Sequence, residues 1–288
     1  MVELFEPAVP IATAALLARS SLHAWRAKNP VLKWGGASFA ALLAIILAVL
    51  GAILILGLLK LNARSAPAVS LKVASSAEQV HRGRAIADSF CSGCHSKTGT
   101  LTGGRDIARD LPLPIGSFVS SNLTPAGQLS GWSDGDIFRA IRNGVDRDGR
   151  WLIIMSYTNA GKLSDQDIWA VIAYLRSLPS AGKQTPNPPD HLNLLGLMML
   201  GTGMLPTGKP VLTGVVTAPP KAPTSEYGEY VLSYQDCREC HGAMLTGGVP
   251  GQLAPLGPDL SLVKTWKFED FVSTMRTGVD PYGHQLGP

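Results

Sequence analysis

The sequence is poor in several things, and each shortage narrows what the protein can be. It has four cysteines in 288 residues, all in two short clusters, so no thiol is left over for other chemistry. Net charge is missing from most of the chain: from Ser65 onward, nineteen lysines and arginines face nineteen acidic residues. The formal charge of +4 comes from Arg19, Arg26, Lys28, Lys33, Lys60 and Arg64, set against Glu3 and Glu6. No basic patch with interleaved aromatics follows, which excludes a nucleic-acid surface. No acid–base pair or activated nucleophile marks a substrate pocket. Finally, the 25 residues from Gly35 to Leu59 carry no charge at all.

What is present begins with the cysteines. Cys91-Ser92-Gly93-Cys94-His95 has the form C-x-x-C-H, and Cys237-Arg238-Glu239-Cys240-His241 repeats it. Two thiols one helical turn apart can each add to a vinyl group of one porphyrin, and the histidine that follows then offers its imidazole to the iron. The motifs predict two covalently bound haem c groups, held by Cys91 and Cys94 with His95, and by Cys237 and Cys240 with His241. Reading the C-x-x-C pairs as a zinc ribbon or disulfide staple leaves the two trailing histidines and the shared pattern after each motif unexplained.

The uncharged run would span roughly 37 Å as a helix at ~1.5 Å per residue, enough to cross a ~30 Å hydrocarbon core with some tilt. Trp34 and Lys60 bracket it as interface residues. A signal peptide would carry a shorter apolar core close to the N-terminus, whereas here 34 residues precede the run. The expectation is a transmembrane helix over 34–61. A weak excess of bases before the span favours a cytoplasmic N-terminal segment over 1–33. Within it, Ile11, Leu16, Leu17, Leu22 and Trp25 fall at near-helical spacing, which suits docking on a partner subunit or the cytoplasmic surface better than a loose tail.

Beyond a linker at 62–74, Ser75-Ser76-Ala77-Glu78 has capping-box spacing and predicts a helix to about Phe90. Ser133 and Ser164 open two more, the last ending at Pro179. Met155, 60 residues after His95, is the candidate sixth ligand of the first iron, because a neutral thioether favours Fe(II). Proline and polar residues over 180–190 read as a boundary. The run Leu192–Leu205, with Met198, Met199 and Met204, is too short to span and reads as apolar packing rather than a copper site.

Gly83 through His95, Ser121-Asn122-Leu123-Thr124-Pro125, Trp132, Gly144-Val145-Asp146, Met155 and Lys162-Leu163-Ser164 together resemble class I c-type cytochrome domains. The likeness is greatest to the multihaem cytochrome subunits of membrane-bound bacterial alcohol and sugar dehydrogenases. It covers residues 78–180 well. The resemblance implies an all-α architecture: a transmembrane helix followed by two tandem haem domains, 75–180 and 225–288, joined by a linker at 181–224. It also implies haem attachment on the outer, periplasmic face of the bacterial inner membrane, and a helix closing the pocket after Met155. Gly257-Pro258-Asp259-Leu260 resembles the family segment whose proline carbonyl accepts the N–H of the ligating histidine, so Pro258 would serve His241. In the first domain Pro112 and Pro114 compete for that role.

Setting the motifs one under the other aligns Leu101-Thr102-Gly103-Gly104 with Leu245-Thr246-Gly247-Gly248, Trp132 with Trp266, and Gly144-Val145-Asp146 with Gly278-Val279-Asp280. The counterpart of Met155 would then be position 289. The expectation is a second domain cut short before its methionine and closing helix, with His284 as the fallback ligand of the second iron. Met244 is too near its motif and Met275 lies on a helix. The leading function is single-electron transfer between redox partners within a larger respiratory, dehydrogenase or photosynthetic membrane complex, without a substrate site of its own. The competing class is a haem enzyme with an open second iron, such as a dihaem peroxidase or a thiosulfate-oxidising cytochrome.

Overall fold

A computed structural model describes residues 2–96, 98–252 and 255–286. The chain divides into two compact units, residues 1–217 and 218–288. The first begins with helix α1, Val2–Trp25, and a π-helical turn, Val31–Gly36, that runs straight into α2, Ala37–Ala63. Alanine, leucine and isoleucine carry α2 without a proline, and Val31–Ala63 is long and apolar enough to cross a membrane. The N-terminal segment is an ordered helix that doubles back along α2. Ser21 Oγ donates to the Ala37 carbonyl at 2.8 Å, and a Cβ on Gly51 would sit 2.6 Å from the Ile11 side chain. The pairing is antiparallel, so the start of α1 lies at the same end of α2 as the rest of the unit. The N-terminal segment therefore docks on α2 itself.

The remainder of the unit comprises α3 (Ala77–Ile86), a π-helical turn (Ala87–Cys91), α4 (Ser92–His95), strand β1 (Gly116–Phe118), α5 (Asp134–Asn143), α6 (Ile153–Tyr157), α7 (Asp165–Ser177), β2 (Asp190–Leu192) and α8 (Leu194–Thr202). Short 3-10 turns fill the loops before α5 and before α7. The capping box of α3 is shifted by one residue from its expected register: Ser76 accepts from Gln79 N, and Gln79 returns to Ser76 N. Gly83 lets α7 close directly on α3, since a Cβ there would lie 1.9 Å from the Ala170 carbonyl oxygen. A bidentate pair, Arg82 to Asp167 at 2.8 Å on both arms, fastens the same crossing.

Two features add detail to the expected layout. The unit is mostly helical, and β1 and β2 add a small antiparallel sheet with Gly116 opposite Leu192. The stretch expected as linker is packed onto this unit as far as Thr217. Asn122, fully buried, donates to the Ala181 and Lys183 carbonyls, and α8 seats on the end of α2. There a Cβ on Gly57 would meet the Leu197 carbonyl at 2.3 Å, and one on Gly201 the Ile53 carbonyl at 2.1 Å. Lys60 Nζ donates to the last carbonyls of α8, Leu200 and Gly201, both at 3.0 Å. Leu54 is buried with Ile115, Phe118, Trp151, Ile153, Leu192, Leu197 and Leu200, so the end of α2 belongs to the core of the unit. Met198 and Met199 pack on that core.

The second unit holds α9 (Ser225–Tyr234), α10 (Cys237–His241), a 3-10 helix (Leu260–Thr265) and α11 (Phe268–Thr277). Thr224 caps α9, and Tyr227, Tyr230 and Tyr234 stack down one side with ring centroids 6.0 and 5.3 Å apart. Gly278 ends α11 in the left-handed conformation, as Gly144 ends α5.

Candidate haem sites

In the first unit the widened, π-helical turn after α3 leads into α4 and brings Cys91 and Cys94 one helical turn apart, with His95 directly after. Neither cysteine is in a disulfide. Burial, reinforced by neighbouring Cys94, pushes the Cys91 thiol up to about 12. His95 donates its Nδ1–H to the Ser121 carbonyl at 2.8 Å. That bond fixes the tautomer and leaves Nε2 with a free lone pair. Burial also lowers the His95 pKa, which keeps the ring neutral and fit to ligate. Gly103 N donates to the His95 carbonyl at 2.8 Å, and Gly103 takes a positive φ where a Cβ would strike the Ser120 and Ser121 carbonyls at 2.4 Å. Arg105 Nη1 clamps the Gly93 carbonyl at 2.7 Å. The histidine's carbonyl partner is therefore Ser121, and neither Pro112 nor Pro114.

Met155 sits half-buried on α6. The turn that carries it is held from several sides. Asp190, from β2, accepts the Ile153 N–H at 2.5 Å and caps the helix from 37 residues away. Burial raises the Asp190 carboxyl to about 7 although its bonds to the Ile153 and Ile154 N–H groups pull the other way. Ser156 Oγ receives the Trp151 indole N–H at 2.7 Å, Lys209 N donates to the Ser156 carbonyl, and the Tyr157 hydroxyl donates to the Pro206 carbonyl. Asp190 and the 206–209 strap escaped sequence reasoning, because the stretch that holds them reads as linker.

The second motif has the same local construction. His241 donates Nδ1–H to the Pro258 carbonyl at 2.8 Å, and Gly247 N donates to the His241 carbonyl at 2.9 Å. Leu260 N to the Leu245 carbonyl, 2.8 Å, matches Leu123 N to the Leu101 carbonyl, 2.9 Å. The bridge between Val279 and Gln285 matches that between Val145 and Trp151. Within that frame His284 falls where Arg150 does and makes the equivalent bond. Its Nδ1 lies 2.9 Å from Asp280 Oδ2, as Arg150 Nε lies 2.8 Å from Asp146 Oδ2. His284 is exposed, with its Nδ1 held on that carboxylate. Among the described residues no group of three or more His, Cys, Asp or Glu is assembled to hold a bare metal ion. The donor set suits a haem instead. Each histidine's Nδ1 is fixed on a carbonyl, its Nε2 is left to ligate, and each follows a pair of cysteines, not joined by a disulfide, one turn apart.

Comparison with known proteins agrees for the first unit. The cytochrome c family model matches residues 80–179. The chain is 34% identical over 115 residues to a nicotinate dehydrogenase subunit of Pseudomonas putida, a match covering 38% of this chain and 10% of that protein. It is 32% identical over 107 residues to the fructose dehydrogenase cytochrome subunit of Gluconobacter japonicus, covering 35% of this chain and 22% of that one. The chain thus spans well under half the length of either relative. Together with the His95 site, these matches establish that the chain contains a cytochrome c domain, which binds haem c covalently and carries electrons.

Proposed function

We propose that the protein is a membrane-anchored dihaem c-type cytochrome that passes single electrons between redox partners as a subunit of a larger membrane complex. Helix α2 anchors it in the bacterial inner membrane, and both haem sites lie on the periplasmic side. One observation carries the second haem: His241 and its loop repeat the His95 geometry bond for bond, from the 2.8 Å histidine–carbonyl contact to the glycine N–H that returns to the histidine's own carbonyl. When bound, haem c supplies a one-electron Fe(II)/Fe(III) couple. The chain's part is to anchor the ring through Cys91 and Cys94 or Cys237 and Cys240, to offer a neutral imidazole from His95 or His241, and to offer the Met155 thioether on the first site's other face. The dehydrogenase subunits among its relatives favour a dehydrogenase as the electron donor.

The test is a haem count on the full chain. A pyridine haemochrome assay should give two haem c per chain, and replacing Cys237 and Cys240 together with alanine should leave one. A wild-type count of one overturns the dihaem reading.

A further inference from the structure

We infer that α1 and α2 cross the membrane together as a helical hairpin, with the turn at residues 26–36 on the inner side and the N-terminus on the same outer side as the haem unit. The inference rests on the reading that α2 is a membrane anchor, and it replaces a single-pass topology with a double pass.

The depth of the contact between the helices decides it. Ser21 meets Ala37 at the start of α2, and Ile11 meets Gly51 fourteen residues further along. At ~1.5 Å per residue, Gly51 stands about 21 Å above Ala37, deep within a ~30 Å hydrocarbon core. A helix lying on the inner surface cannot reach that level while packed on α2. Helix α1 has 24 residues, about 36 Å, which is enough to cross beside it.

Helix α1 is less apolar than α2, but the side chains along its outer face suit lipid. Val9, Leu16 and Leu22 point outward, each at least 60% exposed, as do Phe39 and Ile45 of α2. The hydroxyls on α1 are satisfied internally, which a dry environment demands. Thr13 donates to the Val9 carbonyl at 2.9 Å and Ser20 to the Leu16 carbonyl at 3.0 Å, while Ser21 donates across to α2. Arg19 is six residues from Trp25, about 9 Å along the axis, within snorkelling reach of the turn.

The turn itself has the character of an inner interface. Residues 26–36 contain Arg26, Lys28 and Lys33 and no acid. Trp25 and Trp34 meet edge to face at 4.7 Å, with Lys33 Nζ 5.4 Å from the Trp25 ring centroid. At the other end of the hairpin the bases are engaged by the haem unit: Lys60 on α8, and Arg64 on the Asn143, Thr207 and Lys209 carbonyls. Glu3 and Glu6, at the start of α1, fall at that outer end.

The experiment labels single added cysteines in the full haem-loaded chain with a membrane-impermeant maleimide, using sealed right-side-out vesicles before and after detergent. The parent chain gives the baseline. Glu3→Cys and Thr213→Cys should label on sealed vesicles, and Lys28→Cys only after detergent. Glu6→Cys reads the same end as Glu3→Cys should that variant fail to accumulate. Protection of Glu3→Cys alongside Lys28→Cys, with Thr213→Cys labelled, restores the single pass and overturns the hairpin while leaving the outward-facing anchor intact. Labelling of Lys28→Cys on sealed vesicles overturns the hairpin as well. Protection of Thr213→Cys instead overturns the outward placement of the haem unit on which the inference rests.

Discussion

The two C-x-x-C-H loops are nearly the same object placed in different surroundings. Each histidine donates to a carbonyl at 2.8 Å, and each downstream aspartate, Asp146 or Asp280, receives its loop in the same way. The difference lies one layer out. Gly83 of α3 is pressed against the α7 backbone, whereas a Cβ at Gly228 of α9 would meet nothing within 4 Å. Both histidines are half-buried, but the carbonyl that holds His95 belongs to half-buried Ser121 and the one that holds His241 to exposed Pro258. Attachment geometry is therefore a local property of a few residues and one returning carbonyl. The dielectric around the iron, which tunes its potential, is a tertiary property supplied in the first unit by α6, α7 and the strap that follows them.

The largest expected effect breaks this comparison at its glycines. Gly83→Ala drives a methyl into the Ala170 carbonyl and should cost about 3–5 kcal/mol of stability in the first unit, as overpacking and lost α3–α7 burial combine. Gly228→Ala, in an open helical position, should be neutral or stabilising by up to about 1 kcal/mol. Thermal melts of the two haem-loaded variants check this. Equal destabilisation would show that α9 is as tightly covered as α3.

A second change sharpens the comparison through the ligand. Met155→Ala removes the soft thioether from the first site while leaving the Cys91, Cys94 and His95 attachment unchanged. The haem count should hold, the higher-potential wave of a redox titration should move down, and CO binding should appear at a single iron. An unchanged titration would mean that Met155 does not ligate.

Much of this layout is legible in the sequence, and the failures share a physical cause. The motifs, the repeat and the apolar span are one-dimensional patterns, and the helices opened by Ser133 and Ser164 follow directly from their caps. Ser121 escapes such reading because its contribution is a main-chain carbonyl, which any residue can present. The signal that finds it is the shared return bond: Leu123 to Leu101 and Leu260 to Leu245 place Ser121 opposite Pro258. The strap over 181–217 looks like a linker because proline and polar residues mark both boundaries and tight surface packing. Only the tertiary structure shows Asn122, Arg64 and Asn143 holding it down. The turn of α1 back along α2 is likewise invisible, since helical periodicity does not say which neighbour a face will meet.

Asp190 is the most informative of the residues that sequence patterns pass over, and its expected effect is the smallest. It joins the strap to α6, which carries Met155, through the Ile153 N–H, with its carboxyl raised by burial from 3.8 to about 7. Between those values the folded chain holds a proton that the unfolded chain has released, so this group's contribution to stability falls as pH rises from about 4 to 7 and is level above. Asp190→Asn keeps one carbonyl oxygen to cap α6 and has nothing to titrate. The net change at pH 7 should be small, on the order of 1 kcal/mol, because relief of a buried charge offsets a weaker cap bond. The signature is the slope: the melting temperature of Asp190→Asn relative to wild type should climb steadily from about pH 4.5 to 7.5. A difference that stays flat across that range would mean that water or a rearranged loop solvates Asp190, and that α6 is held by Ser156 and the 206–209 strap alone.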